Sequence, residues 1–132
     1  MSFAASLPVR FADCDPAGIA YYPRMLALVD AAIEDWTAAA LGVTRAAMHM
    51  EQRLGLPTVD LHAAFAKPCR LGDMLDIAVT AGAVGTSSIA LTVRAGVAGE
   101  ARFTVELKQV LMNIDTGRAT PWPAAWRERL AG

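Results

Sequence analysis

The stretch Phe11-Ala12-Asp13-Cys14-Asp15-Pro16-Ala17-Gly18-Ile19-Ala20-Tyr21-Tyr22-Pro23 decides how the rest of the chain is read. At its start, Val9 and Phe11 alternate with Arg10 and Ala12, the pattern of a short strand with one buried face that ends where turn-forming residues begin at Asp13. At its end, Pro23 marks a helix start, because the first helical position has no use for the N–H that proline lacks. The alanine-rich apolar run beyond it continues at helical period over 23–41. Gly18 gives the connection a permissive backbone. The first turn of such a helix leaves N–H groups unpaired and carries partial positive charge, so an oxygen that becomes negative during a reaction is stabilised there. An acid beside that helix head outlines a carboxylate with an oxyanion hole.

Asp-x-Asp-Pro before a helix also has a plainer reading, a turn with a capping acid. Two features weigh against it. Asp13 and Asp15 lie seven or more residues ahead of Pro23, so neither is placed as its N-cap. The intervening Pro16-Ala17-Gly18-Ile19-Ala20 is too apolar for a solvated loop and is expected to line a pocket.

The helix over 23–41 puts Leu26, Val29, Ile33, Trp36 and Ala40 on one stripe, with Gly42 as its C-cap. Arg24, Glu34 and Asp35 are most of its charges, so it should be wrapped by other elements rather than laid on a surface. A shorter helix is expected over 44–53, capped by Thr44, with Gly55 past its end. The pattern then turns to strands over 58–67, 74–83, 87–98 and 101–114, parted by Gly72, Gly85, Gly99 and Asp115-Thr116-Gly117. Short connections predict antiparallel hairpins between neighbours. With the opening strand this gives an α+β fold of about five strands curved round one principal helix. Trp122 and Trp126 in the tail are expected on a last helical turn, packed against the sheet.

The 132 residues amount to about one domain, 1–132, and 55% hydrophobic with 19% charged content is ample for one core. Twelve basic and 13 acidic residues nearly cancel, and no basic run could neutralise a row of phosphates, so nucleic acid is not an expected partner. The first seven residues carry no basic leader, and no apolar run approaches the ~18 residues of a membrane span, which reads as a cytoplasmic protein without membrane contact. Cys14 and Cys69 form neither a disulfide framework nor a Cys-x-x-Cys pair. Cys14 lies inside the opening motif, but the flanking carboxylates oppose its thiolate and no histidine is near in sequence. His49 and His62 are too few for a zinc centre. His62 is expected as an ordinary sheet residue.

Asp13-Cys14-Asp15-Pro16-Ala17-Gly18-Ile19, then Tyr21-Tyr22-Pro23 and Val29-Asp30-Ala31-Ala32, resembles the hotdog-fold acyl-CoA thioesterases, most closely the 4-hydroxybenzoyl-CoA thioesterase family of the pseudomonad type. The likeness runs through Phe65-Ala66-Lys67-Pro68 and Leu71-Gly72-Asp73 and covers roughly residues 7 to 115. It implies the hotdog fold, an antiparallel sheet wrapped round a long central helix. It also implies a homodimer with a continuous sheet, commonly paired into a homotetramer, with active sites at the dimer interface. No cofactor is implied, since coenzyme A is part of the substrate.

Thioester hydrolysis needs a group that attacks the carbonyl or activates water, and donors for the resulting oxyanion. The chain has no Gly-x-Ser-x-Gly elbow. By resemblance Asp15 is the catalytic carboxylate, as nucleophile through a mixed anhydride or as general base, and Tyr22 supplies the main-chain N–H aimed at the thioester carbonyl. Gly18 and Tyr21 belong to the same substrate-binding stretch. Asp30, a carboxylate on an apolar helix, either bonds a structural donor or faces the ligand. In the resembled enzymes the matching acid meets a phenolic hydroxyl of the acyl group, and the region of Thr58 lines the acyl pocket from the partner subunit. Those enzymes hold the CoA phosphates with basic residues on a hairpin that here reads Gly85-Thr86-Ser87-Ser88, without charge. Phosphate contacts would fall to Lys67, Arg70 or Arg94, or the thioester is presented by a carrier protein. Two other readings stand beside hydrolysis. One is a hotdog enoyl-CoA hydratase, which pairs the acid with a histidine where this chain has Tyr22. The other is a non-catalytic acyl-CoA binding module.

Overall fold

Leu75, Ile77 and Val79 alternate with Asp76, Ala78 and Thr80, and Ile89, Leu91 and Val93 alternate with Ala90, Thr92 and Arg94, so one face of each strand is apolar. The computed structural model, which describes residues 2–131, builds these strands into a five-stranded antiparallel sheet. Its strands are β1 (Ser2–Pro8), β3 (Thr58–Phe65), β4 (Met74–Val84), β5 (Ser88–Val97) and β6 (Glu100–Val110), in the order β1-β4-β5-β6-β3. A small second sheet joins β2 (Leu54–Gly55), β7 (Met112–Asn113) and β8 (Arg118–Ala119).

Register aligns the apolar positions into rows. Val79 pairs with Val93 and Val93 with Val105, while Ala95 pairs with Phe103 and Phe103 with Phe65. The rings of Phe65 and Phe103 lie 5.5 Å apart. Helix α1 (Tyr22–Leu41) lays Met25, Val29, Ala32, Ile33, Trp36 and Ala40 on this face, all buried. Leu26, expected on the stripe, is half-buried at its margin, and Met25 takes the buried place. Gly42 ends the helix at φ 71°, a conformation that glycine adopts without a Cβ penalty, and its N–H closes on the Ala38 carbonyl.

Four expectations are corrected. The opening strand covers Ser2–Pro8, and Phe11–Asp13 forms a 3-10 turn. The Asp13 carboxylate accepts the Arg10 N–H at 2.9 Å, and that local bond offers the backbone an alternative to strand pairing. The segment after Thr44 keeps its cap, with Ala47 N–H donating to the Thr44 hydroxyl at 3.1 Å, but it winds into a π turn over Ala47–Glu51. The short link between β3 and β4 is not a hairpin, because β3 pairs with β6 and stands at the sheet edge. The expected last strand is divided, with β6 ending at Val110 and β7 turning into the small sheet. The tail meets its expectation in part: α2 (Ala124–Ala131) buries Trp126 and Leu130, while Trp122 precedes the helix and is buried with its indole N–H donated to the Ser88 carbonyl at 3.1 Å.

Among the described residues no helix is long and apolar enough to cross a membrane. Phe103 is 2% exposed at the centre of the sheet row beneath α1, so Phe103→Ala should lower unfolding free energy by about 3–5 kcal/mol. Urea denaturation of the two proteins measures this, and a loss under about 1 kcal/mol would mean the row collapses to refill the site.

Candidate active site

The loop between the 3-10 turn and α1 is a narrow antiparallel excursion. Asp15 N–H donates to the Ile19 carbonyl at 2.9 Å, Cys14 bridges to Ala20, and Tyr21 N–H donates to the Asp13 carbonyl at 3.2 Å. Pro16, Ala17 and Gly18 form the tip, where Gly18 holds φ 75° with open space around it. Glycine is required there by backbone conformation rather than by crowding. The loop is stapled to a second segment. Ala20 N–H donates to the Cys69 carbonyl at 2.8 Å, and Leu71 N–H to the Gly18 carbonyl at 2.9 Å.

That second segment is held by Arg102 on β6, whose side chain is 15% exposed. It donates to the Pro68 carbonyl at 2.7 Å and to Asp73 at 3.0 Å, and pairs with Glu100 at 2.9 Å. Lys67 closes the network on Glu100 at 2.9 Å and, with Arg102, holds the Glu100 carboxyl below its usual range.

Asp15 lies in an open groove of about 650 Å³ lined by Phe11, Cys14, Asp15, Pro16, Ala17, Gly18 and Leu71. Its Oδ1 accepts the Ala17 N–H at 2.9 Å and the Ile19 N–H at 3.4 Å, which fixes the rotamer. Among the described residues nothing donates to Oδ2, so one carboxylate oxygen stays open to a ligand. Cys14 shares the groove as a half-buried thiol that donates to the Arg10 carbonyl at 3.5 Å. Burial, then Asp13 and Asp15, raise its pKa, so it is not a poised nucleophile at neutral pH.

Tyr21 is the N-cap of α1, and its carbonyl accepts Arg24 N–H at 3.0 Å and Met25 N–H at 3.3 Å. Tyr22 is the first helical residue, with an exposed side chain. Among the described residues its N–H has no acceptor, and the following Pro23 has none to give. Tyr22 is the open donor at the head of the helix. Neither tyrosine lines the Asp15 groove.

Asp30 and Thr58 are not in that groove either. Asp30 is exposed one helical turn from Glu34, and both favour the charged form of the half-buried Arg45, whose pKa burial lowers. Thr58 is exposed at the first residue of edge strand β3, 3.5 Å from the buried Gln109 amide and beside a register shift. The strand puts about 23 Å between Thr58 and Phe65, whose end leads to the Asp15 loop. His62 is exposed on the same strand, and among the described residues no group of side chains converges as a metal site. Lys67 is committed to Glu100, and the uncharged hairpin at 85–88 receives Arg127 from α2, which donates to the Gly85 and Thr86 carbonyls. Sequence reasoning missed Leu71 and Arg127, which reach their places only through tertiary contacts.

The family model of the Thioesterase-like superfamily matches residues 9–130. A 1,4-dihydroxy-2-naphthoyl-CoA hydrolase of Thermosynechococcus vestitus is 33% identical over 84 residues, 64% of this chain, and the chain spans 57% of that relative's length. Among solved structures, a 1,4-dihydroxy-2-naphthoyl-CoA thioesterase from Synechocystis superposes with a TM-score of 0.88 at 20% identity, over 99% of this chain and 96% of the other. A 4-hydroxybenzoyl-CoA thioesterase variant in complex with 4-hydroxybenzoyl-CoA gives 0.86 at 23% identity, over 98% of each chain. These neighbours carry the hotdog architecture expected from the residues, and the broader superfamily, rather than the pseudomonad type within it, is what the match identifies. By a family match over nearly its whole length, the chain belongs to the Thioesterase-like superfamily.

Proposed function

We propose that the protein is an acyl-CoA thioesterase acting on a small aromatic acyl group. The observation that carries this reading is the Asp15 carboxylate, fixed by two main-chain donors through one oxygen and open to the groove through the other. The loop bearing it ends in the unpaired Tyr22 N–H at the helix head. Aromatic substrates are favoured because the relatives named above act on a dihydroxynaphthoyl or a hydroxybenzoyl thioester. A hydroxybenzoyl-type substrate is the finer form of the proposal.

In this reading Asp15 either attacks the thioester carbon, giving a mixed anhydride and CoA thiolate before water cleaves the anhydride, or takes a proton from the attacking water. The thiolate is a good leaving group, so an ordinary carboxylate suffices. Tyr22 N–H, assisted by the helix head, holds the carbonyl oxygen as it becomes negative. Gly18 and Tyr21 shape the entry. Asp30 and Thr58 serve the acyl group across a homodimer interface, since within one chain they stand away from Asp15. Pairing along the β3 edge would cover Val59, Leu61 and Phe65, which are 58%, 44% and 41% exposed. The protein works in the cytoplasm, as a homodimer or homotetramer, with no cofactor beyond the CoA of its substrate.

A panel of benzoyl-, 4-hydroxybenzoyl-, 1,4-dihydroxy-2-naphthoyl-, acetyl- and crotonyl-CoA esters, with one carrier-protein thioester, tests the reading by release of free thiol. Aryl esters should be cleaved fastest. Hydration of crotonyl-CoA without thiol release would install the hydratase instead, and binding without turnover would install the ligand-binding module. Asp15→Asn and Asp15→Ala should each remove nearly all turnover while the fold melts as before. Retention of turnover by Asp15→Ala refutes its role. Tyr22→Phe keeps the main-chain donor, whose loss elsewhere costs about 10²- to 10³-fold, and should leave kcat within about threefold.

The raised Cys14 pKa gives a further check. Because the thiolate forms only at more alkaline pH than in a free cysteine, iodoacetamide at neutral pH should modify Cys14 slowly, and Cys14→Ala should keep most activity. Rapid alkylation with loss of the Cys14→Ala activity would move the nucleophile from Asp15 to Cys14.

A further inference from the structure

Asp13 is the one acidic or basic side chain that is fully buried among the described residues, at 5% exposure. A carboxylate taken out of water is costly unless paired and hydrogen-bonded. Here each part of Asp13 is tied to a different element. Oδ2 accepts the Arg10 N–H at 2.9 Å, closing the 3-10 turn before the site loop. Oδ1 faces the Arg24 guanidinium at 3.4 Å, in the first turn of α1. Its main-chain carbonyl accepts Tyr21 N–H at 3.2 Å, one residue before the open Tyr22 donor. Asp15 lies two residues along the chain from the same anchor. Asp13 thus joins the two groups that the proposed reaction needs in register, while its buried carboxylate is shut away from any substrate.

We infer that Asp13 is a positioning residue, and that its ion pair with Arg24 sets the placement of the Tyr22 N–H relative to the Asp15 carboxylate. The inference rests on the thioesterase reading for its catalytic consequence, while its structural half stands apart from it. Removing one partner of the pair leaves the other charge uncompensated beside the helix head and frees the Tyr21–Tyr22 junction to shift. Displacement of a reacting group by about 1 Å costs on the order of 10²-fold in rate, so the effect belongs in kcat.

The test uses the full chain with Asp13→Asn, Arg24→Gln, the double variant and Arg24→Lys, assayed for benzoyl-CoA hydrolysis and for amide hydrogen exchange. Asp13→Asn keeps the size of the side chain and an acceptor for Arg10 N–H but loses the charge. Each neutral variant should lower kcat by about 10- to 100-fold with KM within about threefold of wild type. The double variant should be no slower than the slower single, since both remove one interaction, and Arg24→Lys should recover most of kcat. The amide of Tyr21, bonded to the Asp13 carbonyl, should exchange faster in Asp13→Asn while those of β5 do not change. An unchanged kcat, additive losses in the double variant, or a matching acceleration across β5 each overturn the inference, the last by showing a role in the fold at large. If the wild type cleaves no thioester, the thioesterase reading falls, and the exchange pattern alone decides whether Asp13 orders the helix head.

Discussion

Everything in this molecule follows from the need of one helix to bury an apolar stripe. Helix α1 carries Val29, Ile33, Trp36 and Ala40 at helical spacing, and only a sheet face with matching rows of Val, Leu, Ile and Phe removes that stripe from water. Packing against β4, β5 and β6 holds the helix axis, and once the axis is held the place of the helix head is held too. A helix terminus with the proposed role must not wander, and the burial of this stripe is what holds it.

A second layer of polar bonds converts that placement into a site. The loop from Cys14 to Ala20 closes on itself through bonds such as Asp15 N–H to the Ile19 carbonyl, and the 69–71 segment across from it fixes it in place at Gly18, Ile19 and Ala20. That segment in turn is held by Arg102, a guanidinium that can serve a carbonyl and two carboxylates at once because its donors are spread in a plane. The chain of support runs from the β6 strand through Arg102 to Pro68 and Asp73, and from Cys69 and Leu71 to the Asp15 loop. A groove built this way is formed before any ligand arrives, which limits the ordering cost of binding.

The same architecture leaves part of itself uncovered. Strand β3 pairs on one side only, and Val59, Leu61 and Phe65 project beyond the cover of α1. Thr58 begins this open strand, and neither it nor Asp30 lines the Asp15 groove. In the proposed reading, an acyl group that meets both Asp15 and Thr58 would need a second copy to bring its β3 edge to the first.

How much of this was legible in advance depends on the range of the interaction responsible. The long helix, its glycine cap, the Thr44 cap and the inward face of β4 and β5 are matters of local periodicity and nearest-neighbour chemistry, and the residues declare them. The position of Asp15 on an apolar loop before the helix was equally plain. The 3-10 turn at Phe11–Asp13 was hidden because an alternating pattern cannot reveal that a side chain three residues on will capture the backbone N–H. The pairing of β3 with β6 rather than β4 was hidden because a short connection limits distance but not the choice of neighbour. The sequence by itself thus determined the long helix, the inward faces of β4 and β5 and the family motif that carries Asp15; tertiary structure alone decided the edge strand, the Arg102 brace, the burial of Asp13 and the absence of Asp30 and Thr58 from the groove lining. The reason is physical: local order is written in residues a few positions apart, whereas burial and pairing depend on which distant surfaces are left to exclude water together.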